Sequence, residues 1–208
     1  MSTLSVADSK TRTAAKAANP VTIVSGLPRS GTSLMMKMLG TAKVELVTDN
    51  IREADENNPN GYFEFERVKK LKEGDFRWLR QSRGKAVKVI SALLEHLPSP
   101  YFYRVIFMQR RMEEILASQR SMLKRRARSN DMVDDEQMAR LFDVHLAEVK
   151  NWLSKQANFE VLYLNYNHLL QSPLDNLNKV NQFLGGQLDV SCMAQMIDNS
   201  LYRQRYQD

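Results

Sequence analysis

The sequence predicts an α/β fold of three layers, in which helices flank a central, mostly parallel β-sheet. Two observations carry this expectation. Short β-branched and apolar runs alternate with segments whose apolar residues recur at helical spacing, which is the pattern of parallel β-α-β units. The first run also leads through a glycine-bounded loop into a helix, in "VSGLPRSGTSLMMKML". Ligands of doubly wound sheets bind where strands end, so this loop marks the expected site.

The individual elements follow in order along the chain. The run "PVTIVSG" predicts a buried strand at 20–26, and "GTSLMMKMLGTA" predicts a helix that opens at its glycine. A polar, turn-rich stretch at 49–61 comes next, followed by helical spacing over 63–82. The remaining predictions are strands at 85–91, 103–109 and 159–166, and helices at 111–128, 134–156 and 173–186.

Length and composition indicate one globular domain. The chain has 208 residues, of which 43% are hydrophobic and 26% charged. Residues 1–20 are polar and lack the apolar core of a signal peptide, so we expect a flexible tail before a single domain at 21–208. No apolar run reaches the roughly 18 residues of a membrane span. Cys192 is the single cysteine, which fits a reducing compartment. We expect a cytoplasmic protein with no membrane partner.

The charge balance favours anionic ligands. The formal net charge is +6, and the isoelectric point is near 9.4, which suits a nucleotide, a polyanion or nucleic acid. The basic run "KRRAR" at 124–128 is typical of a solvated helix face, and it would also attract an anionic cofactor or acceptor. It contains no interleaved aromatic residue and belongs to no nucleic-acid-binding motif. We therefore expect no nucleic-acid partner.

The loop at 26–31 has the glycine spacing of a phosphate-binding loop, but its cation is displaced. Gly26 and Gly31 are spaced as in G-x-x-x-x-G-K-[ST], yet Thr32 stands at the lysine position and Arg29 supplies the charge from inside the loop. Glycines let successive N–H groups face one anion, and the helix N-terminus adds positive potential. The missing lysine argues against a triphosphate. The loop suits a shorter anion with one reactive terminal group.

A second candidate anion site follows the strand at 103–109. Arg110 ends that strand, and Ser118 lies two turns into the next helix, so a guanidinium and a hydroxyl can converge on one phosphate. Taken alone, the pair also fits a surface arginine and a tolerated helix serine. The presence of both motifs, in this order along the chain, is stronger evidence for a phosphate-binding site than either motif alone.

Together the motifs resemble the sulfotransferases that use 3′-phosphoadenosine 5′-phosphosulfate (PAPS). "GLPRSGTS" looks like the 5′-phosphosulfate loop of that family, and its arginine form "PRSGT" resembles the tyrosylprotein and many bacterial branches. Arg110 and Ser118 match the family's Arg-x7-Ser signature for the 3′-phosphate. "VLYLNYNHLLQSPLDNLNKVNQFLG" is similar to the family's strand, tyrosine, helix and "FLG" ending. The resemblance covers about 21–186 and implies a P-loop-type fold.

The resemblance also implies a reaction. A sulfuryl group would pass from PAPS to an acceptor hydroxyl or amine, and adenosine 3′,5′-bisphosphate (PAP) would leave, without a metal ion. Arg29 would stabilise the bridging oxygen of the bond that breaks, and Tyr166 would contact the adenine. The cofactor-binding set implied in this way is Gly26, Arg29, Ser30, Gly31, Thr32, Ser33, Arg110, Ser118 and Tyr166.

The acceptor hydroxyl needs a general base, and here the chain departs from the cytosolic members of the family. They carry "K-T-H" on a strand where this chain has Lys88 but isoleucine, Ile90, in place of the histidine. The arginine-loop branches instead use a glutamate about twenty residues past the loop, which leads from Arg29 to Asp49. We expect Asp49 as the base, Lys88 as a cation for the sulfuryl oxygens, and Glu64 as the alternative base. Further competing carboxylates are Glu45, Glu53, Asp55 and Glu56.

Two other functions stay open at this point. A P-loop nucleotide kinase or NTPase would place a Walker B aspartate at a strand end, and none of the predicted strands ends in one. A nucleic-acid-binding module rests on the basic balance alone. The sequence does not indicate the acceptor or the oligomeric state, although we expect the acceptor pocket to come from 45–82 and 129–140. The C-terminal Arg203 and Arg205 lack the family's R-K-G pattern and are not assigned.

Overall fold

The computed structural model describes residues 19–52, 54–55, 58, 61–125 and 134–198. Several sequence predictions lie outside these ranges. They are the tail up to residue 18, the basic run from 126 onward, the first part of the predicted 129–140 pocket, two of the competing carboxylates (Glu53 and Glu56), and the C-terminal Arg203 and Arg205.

A sheet of five parallel strands forms the centre of the molecule, in the order β2-β3-β1-β4-β5. This arrangement confirms the predicted α/β fold. All six residues of β1 are buried, as expected for a central strand covered on both faces. The strand β2 has only two residues, too few for a periodic pattern in the sequence. The strands are β1 Val21–Gly26, β2 Leu46–Val47, β3 Ala86–Lys88, β4 Tyr103–Gln109 and β5 Phe159–Asn165.

Helices flank both faces of the sheet and pack into two apolar clusters. The alternation of β1 divides its side chains, so that Ile23 enters one cluster with Leu153, and Val24 enters the other with Met35. Among the described residues, every helix is too short or too polar to cross a bilayer. The α-helices are α1 Thr32–Thr41, α2 Met112–Arg125, α3 Asp135–Ser154, α4 Tyr166–Gln171, α5 Pro173–Leu184 and α6 Val190–Ala194, and the 3₁₀ segments are Glu66–Glu73, Arg77–Ser82 and Ser91–His96.

The helix predicted over 63–82 is instead two 3₁₀ segments, Glu66–Glu73 and Arg77–Ser82. Gly74 separates them with a left-handed φ of 83°, which an ordinary helix interior does not allow. The Trp78 Nε1 group donates to the Asp75 carbonyl oxygen at 2.9 Å and ties the second segment to the connection after Gly74. The apolar spacing that suggested one helix is real, but the glycine interrupts the backbone.

Parallel pairing brings the carboxyl ends of three neighbouring strands to one edge of the sheet. Val24 pairs with Lys88, and Gly26 pairs with Met108. The loop after β1, the end of β3 and Arg110 just past β4 therefore lie side by side. Ligand sites of doubly wound folds form at this edge.

Candidate active site

The loop after β1 depends on its two glycines. Gly26 has a φ of 144° and Gly31 a φ of 97°, conformations that side chains disfavour. A Cβ on Gly26 would lie 2.5 Å from the Met108 carbonyl oxygen. A Cβ on Gly31 would lie 2.4 Å from the Tyr166 ring. The loop can thus approach β4 and α4 closely only because both positions lack a side chain.

Ser30 and Thr32, the two hydroxyl residues on either side of Gly31, have different roles in the structure of the loop. The buried Ser30 hydroxyl donates to the Leu27 carbonyl oxygen at 2.7 Å, which braces the turn. Thr32 is the first residue of α1, whose N-terminal N–H groups add positive potential at the same place. Backbone amides, rather than the Ser30 side chain, are the groups that this loop can offer to an anion.

Arg29 connects the two predicted anion sites. Its Nε donates to Ser118 Oγ at 2.8 Å, and Nη1 of Arg110 donates to the Arg29 carbonyl oxygen at 3.1 Å. Arg29 has a φ of 71°, an unfavourable conformation for a residue with a side chain. The bond from Arg110 stabilises the peptide in that conformation. The loop thus directly contacts the Arg-x7-Ser pair, although Arg29 and Ser118 are 89 residues apart in the sequence.

The electrostatic surroundings of Arg29 show which segment approaches the loop. Burial is the main cause that lowers the pKa of its guanidinium, and the charges of Arg110 and Arg52 lower it further. Tyr62 and Asp55 act in the opposite direction. Arg52, Asp55 and Tyr62 are therefore close enough to Arg29 to act on its charge.

Tyr166 lies against the loop at the start of α4. It is 9% exposed, it faces Gly31, and its ring centroid is 4.7 Å from Cζ of Arg110. The ring thus packs on a residue of each anion motif. Its expected contact with adenine stays a prediction.

Lys88 ends β3 with its ammonium group inside the site. The side chain is 10% exposed. Nζ donates to the Tyr62 carbonyl oxygen and lies 3.4 Å from Ser33 Oγ and 3.9 Å from Glu64 Oε1. Burial lowers the pKa of Lys88 to about 8; the charge of Glu64 raises it, and that of Arg52 lowers it. Lys88 therefore joins β3 to the start of α1 and to the stretch at 62–64.

Asp49 is placed near the site, but its carboxylate serves the backbone. Oδ1 accepts from the N–H of Ile51 at 3.1 Å, and Oδ2 accepts from the N–H of Glu66 at 2.6 Å. The second bond caps the first 3₁₀ segment. Both oxygens of the expected base are thus engaged in holding the chain.

Glu64 faces the cations of the site. Its Oε1 accepts from Arg52 Nη1 at 2.9 Å and lies 3.9 Å from Lys88 Nζ. The side chain is 23% exposed, so it is partly open to solvent. Of the two expected bases, Glu64 is the one whose carboxylate faces Lys88.

Tyr62 is a residue of this region that the sequence analysis missed. It is 5% exposed, and its hydroxyl donates to both oxygens of Asp55 at 2.8 Å. The guanidinium carbon of Arg52 lies 3.3 Å from its ring centroid. No spacing or motif marks Tyr62 in the sequence, because its partners are gathered by a turn-rich stretch.

A second group that the sequence analysis missed supports Arg110. Glu114 is buried on α2, one turn after Arg110, and accepts from its Nε at 2.8 Å. Asn167 donates to the other oxygen of the same carboxylate at 2.9 Å. The i, i+4 spacing of Arg110 and Glu114 was a signal available in the sequence.

The competing carboxylate Glu45 and the histidine His145 lie away from this cluster. Glu45 pairs with Lys85 at the surface. His145 Nε2 lies 2.8 Å from Ser91 Oγ and ties α3 to the segment Ser91–His96, so this histidine does not replace the one missing at Ile90.

A groove of about 340 Å³ lies between α2 and α3. Its lining includes Leu116 of α2 and Asp135 and Glu136 of α3. The last two belong to the stretch 129–140, which the sequence predicted to contribute to the acceptor pocket.

Comparison with known proteins assigns the chain to a family. An α/β fold with a glycine-bounded loop at the carboxyl edge of its sheet is typical of a broad class of nucleotide- and anion-binding proteins. Within that class, the sulfotransferase domain model matches residues 19–205, and the chain belongs to the sulfotransferase family. A search of curated proteins found no match.

Two solved structures are similar to this chain at low sequence identity. The sulfotransferase domain of the Synechococcus PCC 7002 olefin synthase is 14% identical, with a TM-score of 0.51 over 89% of this chain and 80% of that domain. A sulfotransferase from Alicyclobacillus acidocaldarius is 13% identical, with a TM-score of 0.48 over 88% of each chain. The similarity to the olefin synthase domain supports the α/β fold of this chain.

Proposed function

We propose that this protein transfers the sulfuryl group of PAPS to an acceptor hydroxyl or amine and releases PAP. The observation that carries the proposal is the contact between the two anion motifs. Arg29 Nε lies 2.8 Å from Ser118 Oγ, and Arg110 Nη1 lies 3.1 Å from the Arg29 carbonyl oxygen. Two anion sites this close suit one nucleotide with phosphate groups on two carbons of the same ribose.

Each motif takes one end of the donor in this proposal. The amides of the loop from Gly26 to Gly31, with Thr32, Ser33 and the α1 N-terminus, bind the 5′-phosphosulfate. Arg110 and Ser118 bind the 3′-phosphate through charge-assisted hydrogen bonds. Tyr166 stacks beside the adenine. The loop and Arg110 both lie at the carboxyl edge of the sheet, where β1 and β4 end.

The transfer step exchanges one bond to sulfur for another. The bond between sulfur and the bridging oxygen of the 5′-phosphate breaks, a bond from sulfur to the acceptor oxygen or nitrogen forms, and the acceptor proton passes to a carboxylate. Arg29 stabilises the negative charge that develops on the bridging oxygen. Its Nε donates to Ser118 Oγ here, and because a hydroxyl accepts and donates at once, Ser118 can still donate its own proton to the 3′-phosphate. Lys88 neutralises the oxygens of the sulfuryl group.

The geometry favours Glu64 over Asp49 as the base. A base must accept the acceptor proton within hydrogen-bond reach. Both oxygens of Asp49 already accept backbone N–H groups. Glu64 instead faces two cations: its Oε1 lies 2.9 Å from Arg52 Nη1 and 3.9 Å from Lys88 Nζ. The proton thus passes to a group beside the cation that we assign to the sulfuryl oxygens.

The acceptor is a small molecule or another hydroxyl- or amine-bearing partner of unknown identity. The single cysteine, Cys192, fits work in the reducing cytoplasm.

Calorimetry with PAP and ATP tests the donor assignment. Wild-type protein should bind PAP far more tightly than ATP, and Arg110→Ala should weaken PAP binding by about 2 kcal/mol, the scale of a charge-assisted hydrogen bond. Arg104→Ala, a β4 arginine paired with Glu160, is the control and should leave PAP affinity unchanged. Equal affinity for ATP and PAP would refute the proposal.

A transfer assay with labelled PAPS and pooled acceptors then tests the reaction and identifies the acceptor class.

A further inference from the structure

Glu114 places a buried negative charge inside the proposed anion site. Its side chain is 1% exposed and that of its partner, Arg110, is 9% exposed. A buried ion pair costs desolvation, and a carboxylate beside Arg110 weakens the attraction of that arginine for a phosphate. For phosphate binding by Arg110, charge alone would therefore favour a neutral residue at position 114.

Both oxygens of Glu114 accept hydrogen bonds from different elements. Oε2 accepts from Arg110 Nε at 2.8 Å, and Oε1 accepts from Asn167 Nδ2 at 2.9 Å. Asn167 Oδ1 in turn accepts from the N–H of Arg111 at 3.4 Å, which orients the amide with its NH₂ group toward Glu114. Glu114 thus links α2 with α4 and with the end of β4.

The same bonds restrict the guanidinium of Arg110 on several sides. Nε faces Glu114, Nη1 faces the Arg29 carbonyl oxygen at 3.1 Å, and the guanidinium lies 4.7 Å from the Tyr166 ring centroid. An arginine held in this way loses little rotamer freedom when an anion binds. The bond to Arg29 also supports the left-handed loop residue at φ 71°.

We propose that Glu114, held by Asn167, is a positioning residue that fixes Arg110 for the 3′-phosphate of the donor and so gives the site its preference for a 3′-phosphorylated nucleotide. The inference rests on the proposed function. It concerns a residue that acts through Arg110 and does not itself touch the donor.

Glutamine at position 114 is the informative substitution. Its side chain has almost the size of glutamate but offers one oxygen and one NH₂ group to two donors, Arg110 Nε and Asn167 Nδ2. One of the two hydrogen bonds must therefore be lost, unless the Asn167 amide rotates by about 180° and loses its hydrogen bond from the Arg111 N–H. Glu113→Gln, an exposed position on the same helix, is the control for loss of charge.

The readout is the ratio of the dissociation constants of AMP and PAP, which isolates the contribution of the 3′-phosphate. Glu114→Gln should lower this ratio by about tenfold, the scale of one charge-assisted hydrogen bond, with little change in AMP affinity. Glu113→Gln should leave the ratio unchanged. The double variant E114Q/N167D exchanges carboxylate and carboxamide, restores both hydrogen bonds, and should recover most of the ratio.

The outcomes separate this inference from the proposed function. If wild-type protein binds AMP and PAP equally, the proposed function fails and the inference falls with it. If the wild type prefers PAP and Glu114→Gln keeps the full preference, or loses AMP and PAP affinity in parallel, the positioning role is refuted alone. Should Glu114→Gln fail to fold, Asn167→Ala keeps the ion pair and should lower the same ratio to a smaller extent; an unchanged ratio would refute the inference.

Discussion

Two carboxylates near the loop differ in what their oxygens already bind. Asp49 accepts two backbone N–H groups, whereas Glu64 faces Arg52 and Lys88. Under the proposed function, this difference in hydrogen-bond partners favours Glu64 as the residue that accepts the proton. Sequence spacing led from Arg29 to Asp49, and only the contacts of the side chains distinguish the two.

Glu64→Gln should cut turnover by about 10²- to 10⁴-fold, the usual contribution of a general base, while PAP affinity stays nearly unchanged. Asp49→Asn should keep most of the turnover and lower the free energy of unfolding by about 1–2 kcal/mol, because it weakens a cap on backbone N–H groups. Steady-state rates and denaturant titrations check both. The reverse pattern, with turnover lost only in Asp49→Asn, would restore Asp49 as the base.

Lys88 should give the reaction an alkaline limb. Burial lowers the pKa of its ammonium from 10.5 to about 8, so kcat/KM, which reports the free enzyme, should fall as the pH rises through that value. Lys88→Arg, which stays charged, should move the limb upward. The unfolded chain binds more protons between about pH 8 and 10.5, so the contribution of Lys88 to stability increases over that window. An unchanged limb in Lys88→Arg would exclude Lys88 as its source.

At the scale of elements, the loop after β1 packs closely against β4 and α4. The strand order places β1 between β3 and β4, so Lys88 and Arg110 reach the loop from opposite sides. Gly31 allows α1 to start beside Tyr166 of α4, where a side chain would collide with the ring. The site is therefore sensitive to backbone conformation as well as to charge.

Gly31→Ala should abolish tight PAP binding and lower stability. The residue has a φ of 97°, and its new Cβ would lie 2.4 Å from the Tyr166 ring, so strain of about 1–3 kcal/mol adds to the clash. Gly185→Ala is a matched control, since its φ is 111° but no atom lies within 4 Å of the added Cβ. Calorimetry and thermal unfolding should show a stability loss in both variants and a PAP defect in Gly31→Ala alone. A PAP defect of equal size in Gly185→Ala would mean that global destabilisation is the cause.

At the scale of the whole molecule, four cations of a basic chain lie around a loop that lacks the Walker lysine: Arg29, Arg52, Lys88 and Arg110. Among the described residues, no group of three His, Cys, Asp or Glu side chains is placed to hold a metal ion. The proposed chemistry uses amides, hydroxyls and cations in place of a metal.

If amides, hydroxyls and cations bind the donor as proposed, transfer from PAPS should persist in excess EDTA. In the same buffer, PAP at one hundred times its dissociation constant should raise the free energy of unfolding by about 2.7 kcal/mol, because it binds only the folded state. Thermal unfolding and a labelled-PAPS assay measure the two effects. Activity that disappears in EDTA and returns only with Mg²⁺ would favour the nucleotide kinase or NTPase alternative.

Local patterns in the sequence determined the order of elements and the two anion motifs. β1 and α1 follow from the buried run and the glycine-bounded loop, and β4 matches its predicted bounds. The alternation of strands and helices is enough to indicate the parallel sheet, because crossover connections need helices between strands. The break at Gly74 and the two-residue β2 escaped prediction, since both depend on local backbone geometry and on pairing with β3.

Only the tertiary structure decided which side chains work together. It brought Arg29 to Ser118 across 89 positions and placed Glu64 beside Lys88, while it committed Asp49 to the backbone. Hydrogen bonds form between atoms at about 3 Å, and a turn-rich stretch such as 49–61 has no period from which such distances follow. The sequence by itself determined the family and the two anion motifs, whereas the contacts of Tyr62 and Glu64 with Lys88 decided how the proposed catalytic groups are arranged.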